Sequence, residues 1–195
     1  MRLLLILVLA LGVVVPVSAE HGSKDHWAQR LVVVYDYTQP ELDGYLPIIV
    51  RNWNLALGDG GLRLRYEDRP SKDCRDVDPI PDAIVVCSAA THDTYAAGAT
   101  WVWVGKRHRI SKVKTLLVAS TWGTSSSESG YWWHPMGCHE MGHALGLDHP
   151  NPWQDITTCM STQRQTPGTH DVAELRRMYG GTGGTVTETV PARDG

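Results

Sequence analysis

The chain has 195 residues, 42% of them hydrophobic, and a formal charge of −3, which suits a single domain with a sizeable core. A mildly acidic chain without a long basic run lacks the electrostatic footprint of a nucleic-acid binder. There is no Phe beside eight Trp and seven Tyr, so Trp, Tyr, Leu and Val must supply most of the core.

The first segment, MRLLLILVLALGVVVPVSA, has Arg2 as a positive start, an apolar run from Leu3 to Val15, a break at Pro16 and the small residues Val17, Ser18 and Ala19. This is the pattern of a secretory signal peptide cut after Ala19, and its apolar run is shorter than the roughly 20 residues a membrane-spanning helix needs. Residues 1–19 are therefore expected to be removed, leaving a secreted, extracellular chain that does not contact a membrane. Four cysteines, Cys74, Cys87, Cys138 and Cys159, then imply two disulfides, with three connectivities open. No C-x-x-C pair supports a cysteine zinc site.

LVVVYD at 31–36 is a continuous apolar run of the kind found in a buried strand. Leu46, Ile49, Val50, Trp53 and Leu57 then follow one helical face. Pro47 is tolerable only in a first turn, so this long helix should begin near Tyr45 and stop at Gly58. LRLRYED at 62–68 alternates and reads as a strand with one wet face, and AIVVCSA at 83–89 as another buried strand. TWVWVG at 100–105 and VKTLLVAS at 113–120 are two more strands, separated by an exposed basic turn carrying Lys106, Arg107 and Arg109. Trp101 and Trp103 share one side of the first of these, with core packing favoured over substrate contact as their role. A strand–helix–strand start implies parallel pairing with a crossover helix, and the short basic link an antiparallel edge. The expected fold is thus α/β (α+β), a five-stranded mixed sheet with a long crossover helix. TSSSESG at 124–130 reads as a polar loop. The Gly- and Thr-rich tail, residues 182–195, reads as disordered.

The chemistry concentrates in GCHEMGHALGLDHP, Gly137–Pro150. If this stretch is helical, His139 and His143 project from one face and can reach one metal ion. Glu140, one position round the helix, can reach a water there as general base without being a ligand. Gly146 stands where the chain must leave the helix, and a turn there would bring His149 back as third ligand. Three neutral imidazoles with an open fourth position describe a catalytic zinc site better than a closed structural one. One Zn2+ so held would polarise a carbonyl and activate water near neutral pH, with Glu140 taking the water's proton and passing it to the leaving amine.

HEMGHALGLDH matches H-E-x-x-H-x-x-G-x-x-H and so resembles the signature of the metzincin zinc endopeptidases. The resemblance implies a Met-turn beneath the metal, which TTCMST supplies with Met160. It also implies a small C-terminal subdomain closed by a final helix. THDVAELRRMYGG looks like that helix in matrixin-like members, with Val172, Leu175 and Tyr179 on one stripe. The zinc protease domain would then span 20–181. Pro150, Met160 and Ser161 are also similar to serralysins, but Thr162 stands where those enzymes carry a zinc-binding tyrosine. Snapalysin-like enzymes carry Asp where this chain has His149; the adjacent Asp148 is assigned to the surface or to a supporting role. The matrixin structural-zinc pattern and calcium loops are not found, His92, Asp93 and His108 being too isolated, and calcium is left open without support. Cys138 precedes His139 and Cys159 precedes Met160, so the preferred pairing is Cys138 with Cys159 and Cys74 with Cys87.

By the same resemblance, the edge strand near Thr100–Val104 would take an extended peptide or unfolded protein substrate by strand addition. A cysteine-switch propeptide is not expected, and the chain is expected to act as a monomer. Two alternatives stay open: a secreted zinc-containing binding protein of metzincin fold without turnover, and a zinc hydrolase acting on other bonds.

Overall fold

The computed structural model describes residues 23–42, 44–89, 97–118, 126–150, 157–161 and 164–183. The signal segment, His92, Asp93, Thr162 and the tail beyond Gly183 lie outside the described residues. The elements run β1 (His26–Trp27), β2 (Leu31–Tyr37), α1 (Tyr45–Leu57), β3 (Arg63–Asp68), β4 (Ala83–Ala89), β5 (Gly98–Val104), β6 (Arg109–Val118), α2 (Ser126–Ala144) and α3 (Thr169–Tyr179).

Five of the strands are ordered β5–β6–β4–β2–β3. β2 pairs in parallel with β3 and β4, β4 in parallel with β6, and β5 antiparallel to β6. The sequence suggests five strands and the sheet has six among the described residues, because β1 pairs in parallel with the first two residues of β6. Two residues are too few to show any period, so β1 leaves no trace in the hydrophobic pattern. Among the described residues this is a mixed α/β arrangement with a largely parallel sheet and three helices, in keeping with the α/β class expected from the sequence.

The sheet buries two faces unequally. On one, Val32, Val34, Leu64, Ile84, Val86, Val113 and Leu117 pack with Ile49, Trp53 and Leu57 of α1 and Met141, Leu145 and Met160 from the second half of the chain. On the other, Val85, Cys87, Leu116 and Val118 pack under a short segment carrying Cys74 and Val77, joined to β4 by the Cys74–Cys87 disulfide. Lys114 pins that segment by donating through Nζ to the Cys74 and Val77 carbonyls at 2.7 and 2.6 Å. With cover on both sides, all seven residues of β4 are buried, which is why its sequence is an unbroken apolar run.

The cover does not reach β5. Thr100 and Val102 point toward α2 and the main core, so Trp101 and Trp103 fall on the opposite face and remain 42% and 37% exposed. The expected core packing of these two tryptophans is therefore corrected: alternation puts them on one face, and among the described residues no helix covers that face. Lys112 Nζ lies 5.1 Å from the centre of the Trp103 ring. The basic turn, Lys106–His108, is exposed as its composition suggests.

Helix α1 ends at Gly58 and carries Pro47 in its first turn, where a missing N–H removes no intrahelical bond. Helix α2 begins at Ser126, so residues 126–130 are helical and not the loop that their polarity suggests. A run of serines carries no apolar period to reveal a helix. Pro135 lies inside α2 and cannot donate to the carbonyl four residues earlier. Among the described residues, no helix is long and apolar enough to cross a membrane.

The Cys74–Cys87 bond closes a 13-residue separation on the face away from α2, a loop for which cross-linking contributes about 3 kcal/mol. Replacing both cysteines by Ala should lower the melting temperature by roughly 6–12 °C while leaving metal affinity as in the parent. Calorimetry and a zinc titration check this; a weakened metal site in that variant would contradict the separation of the two faces.

Candidate metal centre

His139 and His143 lie one turn apart in the last part of α2, and the chain leaves that helix through a defined turn. The Leu147 amide donates to the Gly142 carbonyl at 3.0 Å and the Gly146 amide to the His143 carbonyl at 2.9 Å, the two bonds of a Schellman motif. Its left-handed position is Gly146, with φ +89°. A Cβ there would also collide with the Asp25 carbonyl oxygen. This turn carries His149 back over the helix end. The Nε2 atoms of His139, His143 and His149 stand at the corners of a triangle, each 3.1 Å from the other two.

The protons on these rings follow from their second nitrogens. His143 Nδ1 is 2.8 Å from the Leu147 carbonyl oxygen and His139 Nδ1 is 3.3 Å from that of Cys159. A carbonyl only accepts, so each Nδ1 carries the ring's one proton and each Nε2 offers a bare lone pair. Two lone pairs thus face each other across 3.1 Å, an arrangement that repels unless a cation lies between them. Tetrahedral zinc with Zn–N bonds of about 2.0–2.1 Å spaces its ligand atoms roughly 3.3 Å apart, close to the triangle observed. The donor set fits a single zinc ion.

Burial holds the imidazoles neutral. His139, 5% exposed, is pushed down to about 3, first by burial and then by the two neighbouring rings. His143 and His149 are also lowered, again chiefly by burial. Neutral imidazole is the form that binds metal, so each shift favours a ligand.

Glu140 is 5% exposed and is pushed up to about 7 by burial, which a hydrogen bond from Thr100 partly opposes. Thr100 Oγ1 donates to Glu140 Oε2 at 2.7 Å. Asp148 is exposed and is not one of the three converging groups.

Beside His139, Cys159–Ser161 form a single tight turn. Met160 is fully buried, its sulfur so close to Gly142 that a Cβ on that residue would strike it. The Cys138–Cys159 disulfide, Cα–Cα 5.9 Å, ties this turn to α2 beside His139, and the Cys159 carbonyl orients that ring. Asp171 anchors the turn from α3: Oδ2 accepts from the Cys159 and Gly168 amides at 2.9 and 2.7 Å, and Oδ1 from the Thr158 hydroxyl. At the C-terminal end of α2, Trp27 Nε1 donates to the Ala144 carbonyl and Tyr179 Oη to that of Leu145, at 2.9 and 2.7 Å.

The structure therefore brings His139, His143 and His149 together, with Glu140 adjacent to His139 in sequence, Gly146 at the turn that follows α2 and the Met160 sulfur against Gly142 of α2. Lys106, Arg107 and Arg109 lie apart on the exposed β5–β6 turn, and His108 pairs with Asp25 at 2.9 Å. The sequence reading missed Thr100, Gly98 and Asp171. Only Asp171 left a signal, as an acid in the first turn of a helix.

No protein-family model and no curated protein matches the chain. Among solved structures, it is similar to high choriolytic enzyme 1, a hatching enzyme zinc-protease from the medaka fish Oryzias latipes, at 17% identity and a TM-score of 0.29. The match covers 66% of this chain and 50% of that one, and superposition at that level does not establish a shared fold.

The shifts at this site give opposed pH dependences in the metal-free protein. His139 has a folded value below its ordinary 6.5, so the unfolded chain takes up protons first and stability falls as pH drops below about 6.5. Glu140 has a folded value above its ordinary 4.5, so between 4.5 and about 7 the folded state holds the extra proton and stability rises as pH drops. Metal-free Glu140→Gln keeps the first effect and loses the second. Its stability should fall more steeply than the parent's between about pH 6.5 and 5, by roughly 1.4 kcal/mol per pH unit. Urea unfolding at both pH values measures this, and parallel slopes would contradict the buried, raised carboxyl.

Proposed function

We propose that the chain is a secreted zinc-dependent endopeptidase of metzincin, matrixin-like type. The observation that carries this reading is the three-imidazole triangle with Glu140 next to it in sequence and seated on an edge strand. When bound, zinc supplies Lewis acidity toward a carbonyl oxygen and makes water acidic near neutral pH. His139, His143 and His149 hold that ion through Nε2. Glu140 takes a proton from the attacking water and later delivers it to the departing amine, the general acid–base role that its position favours. A neighbouring cation favours its ionised form, so the carboxyl that burial raises in the metal-free protein becomes a base when the site is filled.

Among the described residues, β5 pairs on one side only, with β6. Its free side can accept an extended peptide by strand addition, next to the residue that seats Glu140. Unfolded protein or extended peptide is thus the proposed substrate class. Two disulfides and the signal-like leader support secretion, and the helix at Thr169–Tyr179 supports the matrixin-like placement.

The test combines zinc analysis with cleavage of an unfolded protein. The reading predicts one zinc per chain, cleavage abolished by chelation, and a loss of at least roughly 100-fold in kcat for Glu140→Ala at unchanged zinc content. Stoichiometric zinc without turnover would overturn the endopeptidase reading in favour of a zinc-containing binding protein. Cleavage unaffected by Glu140→Ala would overturn the mechanism.

A further inference from the structure

Glu140 does not hang freely from α2. Its Oε2 accepts from the Thr100 hydroxyl at 2.7 Å, while Oε1 and Cγ lie against Gly98, where an added Cβ would stand 2.9 Å from both atoms. Both contacts come from β5, two residues apart on the face of the strand that looks toward α2. Thr100 Oγ1 also lies 3.1 Å from Thr115 Oγ1 on β6 and 3.2 Å from the Glu140 main-chain carbonyl. A hydroxyl has one proton. The shortest bond, to the carboxylate, uses it, so the Thr115 hydroxyl donates to Thr100 and the three groups form a directed chain, Thr115 to Thr100 to Glu140. Thr115 is 2% exposed, and such a chain inside a protein polarises each of its members.

We infer that Thr100 is a positioning residue: together with the open face of Gly98 it sets the side-chain conformation of Glu140 from the edge strand that receives the substrate. The base and the docking strand then share one rigid support, and a peptide laid on β5 meets a carboxylate whose placement that same strand defines. No motif carries this pair, because Gly98 and Thr100 lie outside the histidine stretch and on a different element.

Three variants test the inference. Thr100→Val keeps the shape and removes the proton, Thr100→Ser restores a hydroxyl, and Gly98→Ala adds one methyl group at a residue outside the left-handed region. Crystal structures of the zinc-loaded proteins should show the Glu140 carboxylate displaced in Thr100→Val and Gly98→Ala and returned in Thr100→Ser. Zinc affinity and melting temperature should stay near the parent's in Thr100→Val. The kinetic arm rests on the endopeptidase reading: kcat should fall about tenfold or more in Thr100→Val with KM changed less than about twofold, and Thr100→Ser should recover most of it. A Glu140 side chain unmoved in Thr100→Val would overturn the inference, as would an unchanged kcat or a serine variant as impaired as the valine one. If the parent cleaves nothing, the endopeptidase reading fails by itself, and the carboxylate's position in the three structures still decides the role of Thr100.

Discussion

Three imidazole nitrogens held 3.1 Å apart form the constraint on which the rest of the structure depends. Two of them are bare lone pairs because their rings donate through Nδ1 to main-chain carbonyls. Mutual repulsion would spread such a group if its members were free to move. The fold fixes their positions through the elements that carry them, and a cation bound among the three nitrogens would offset that repulsion. Metal binding and folding are then linked, since any ligand that binds only the folded state stabilises it.

The holding is done by main-chain geometry more than by side-chain packing. The Cys159 carbonyl orients His139, the Leu147 carbonyl orients His143, and the left-handed turn at Gly146 delivers His149. Each carbonyl is itself fixed. Cys159 is covalently tied to α2 through Cys138 and has its amide bonded to buried Asp171, while Leu147 belongs to the hydrogen-bonded end of α2. The tight turn at Met160 is thereby held in three ways: to α2 by the disulfide, to α3 by Asp171, and to the core by its buried methionine. Fixing the partners that orient the ligands in this way sets both the tautomer and the angle of each ring.

Much of this was legible in the sequence, and what was not has identifiable causes. The buried strands and α1 declared themselves because their apolar periods are strong and their ends carry Pro47 and Gly58. The histidine spacing pointed to the three converging imidazoles because a helical turn puts residues 139 and 143 on one face and Gly146 permits the reversal. Strand β1 was invisible because two residues hold no period. The first turns of α2 were hidden because a polar serine run carries none, and the exposure of Trp101 and Trp103 depends on which elements happen to cover the sheet. Thr100 and Gly98 were missed for a different reason. They serve Glu140 across forty residues of chain through a strand register, which no local pattern encodes.

The central claim, that the three histidines hold one metal ion through Nε2, is tested most directly by X-ray absorption at the zinc edge on protein loaded with one equivalent of zinc. The structure predicts three imidazole nitrogens at about 2.0–2.1 Å and one light-atom ligand, with no sulfur shell. A sulfur shell at about 2.3 Å, or a spectrum with fewer than three imidazoles, would contradict it.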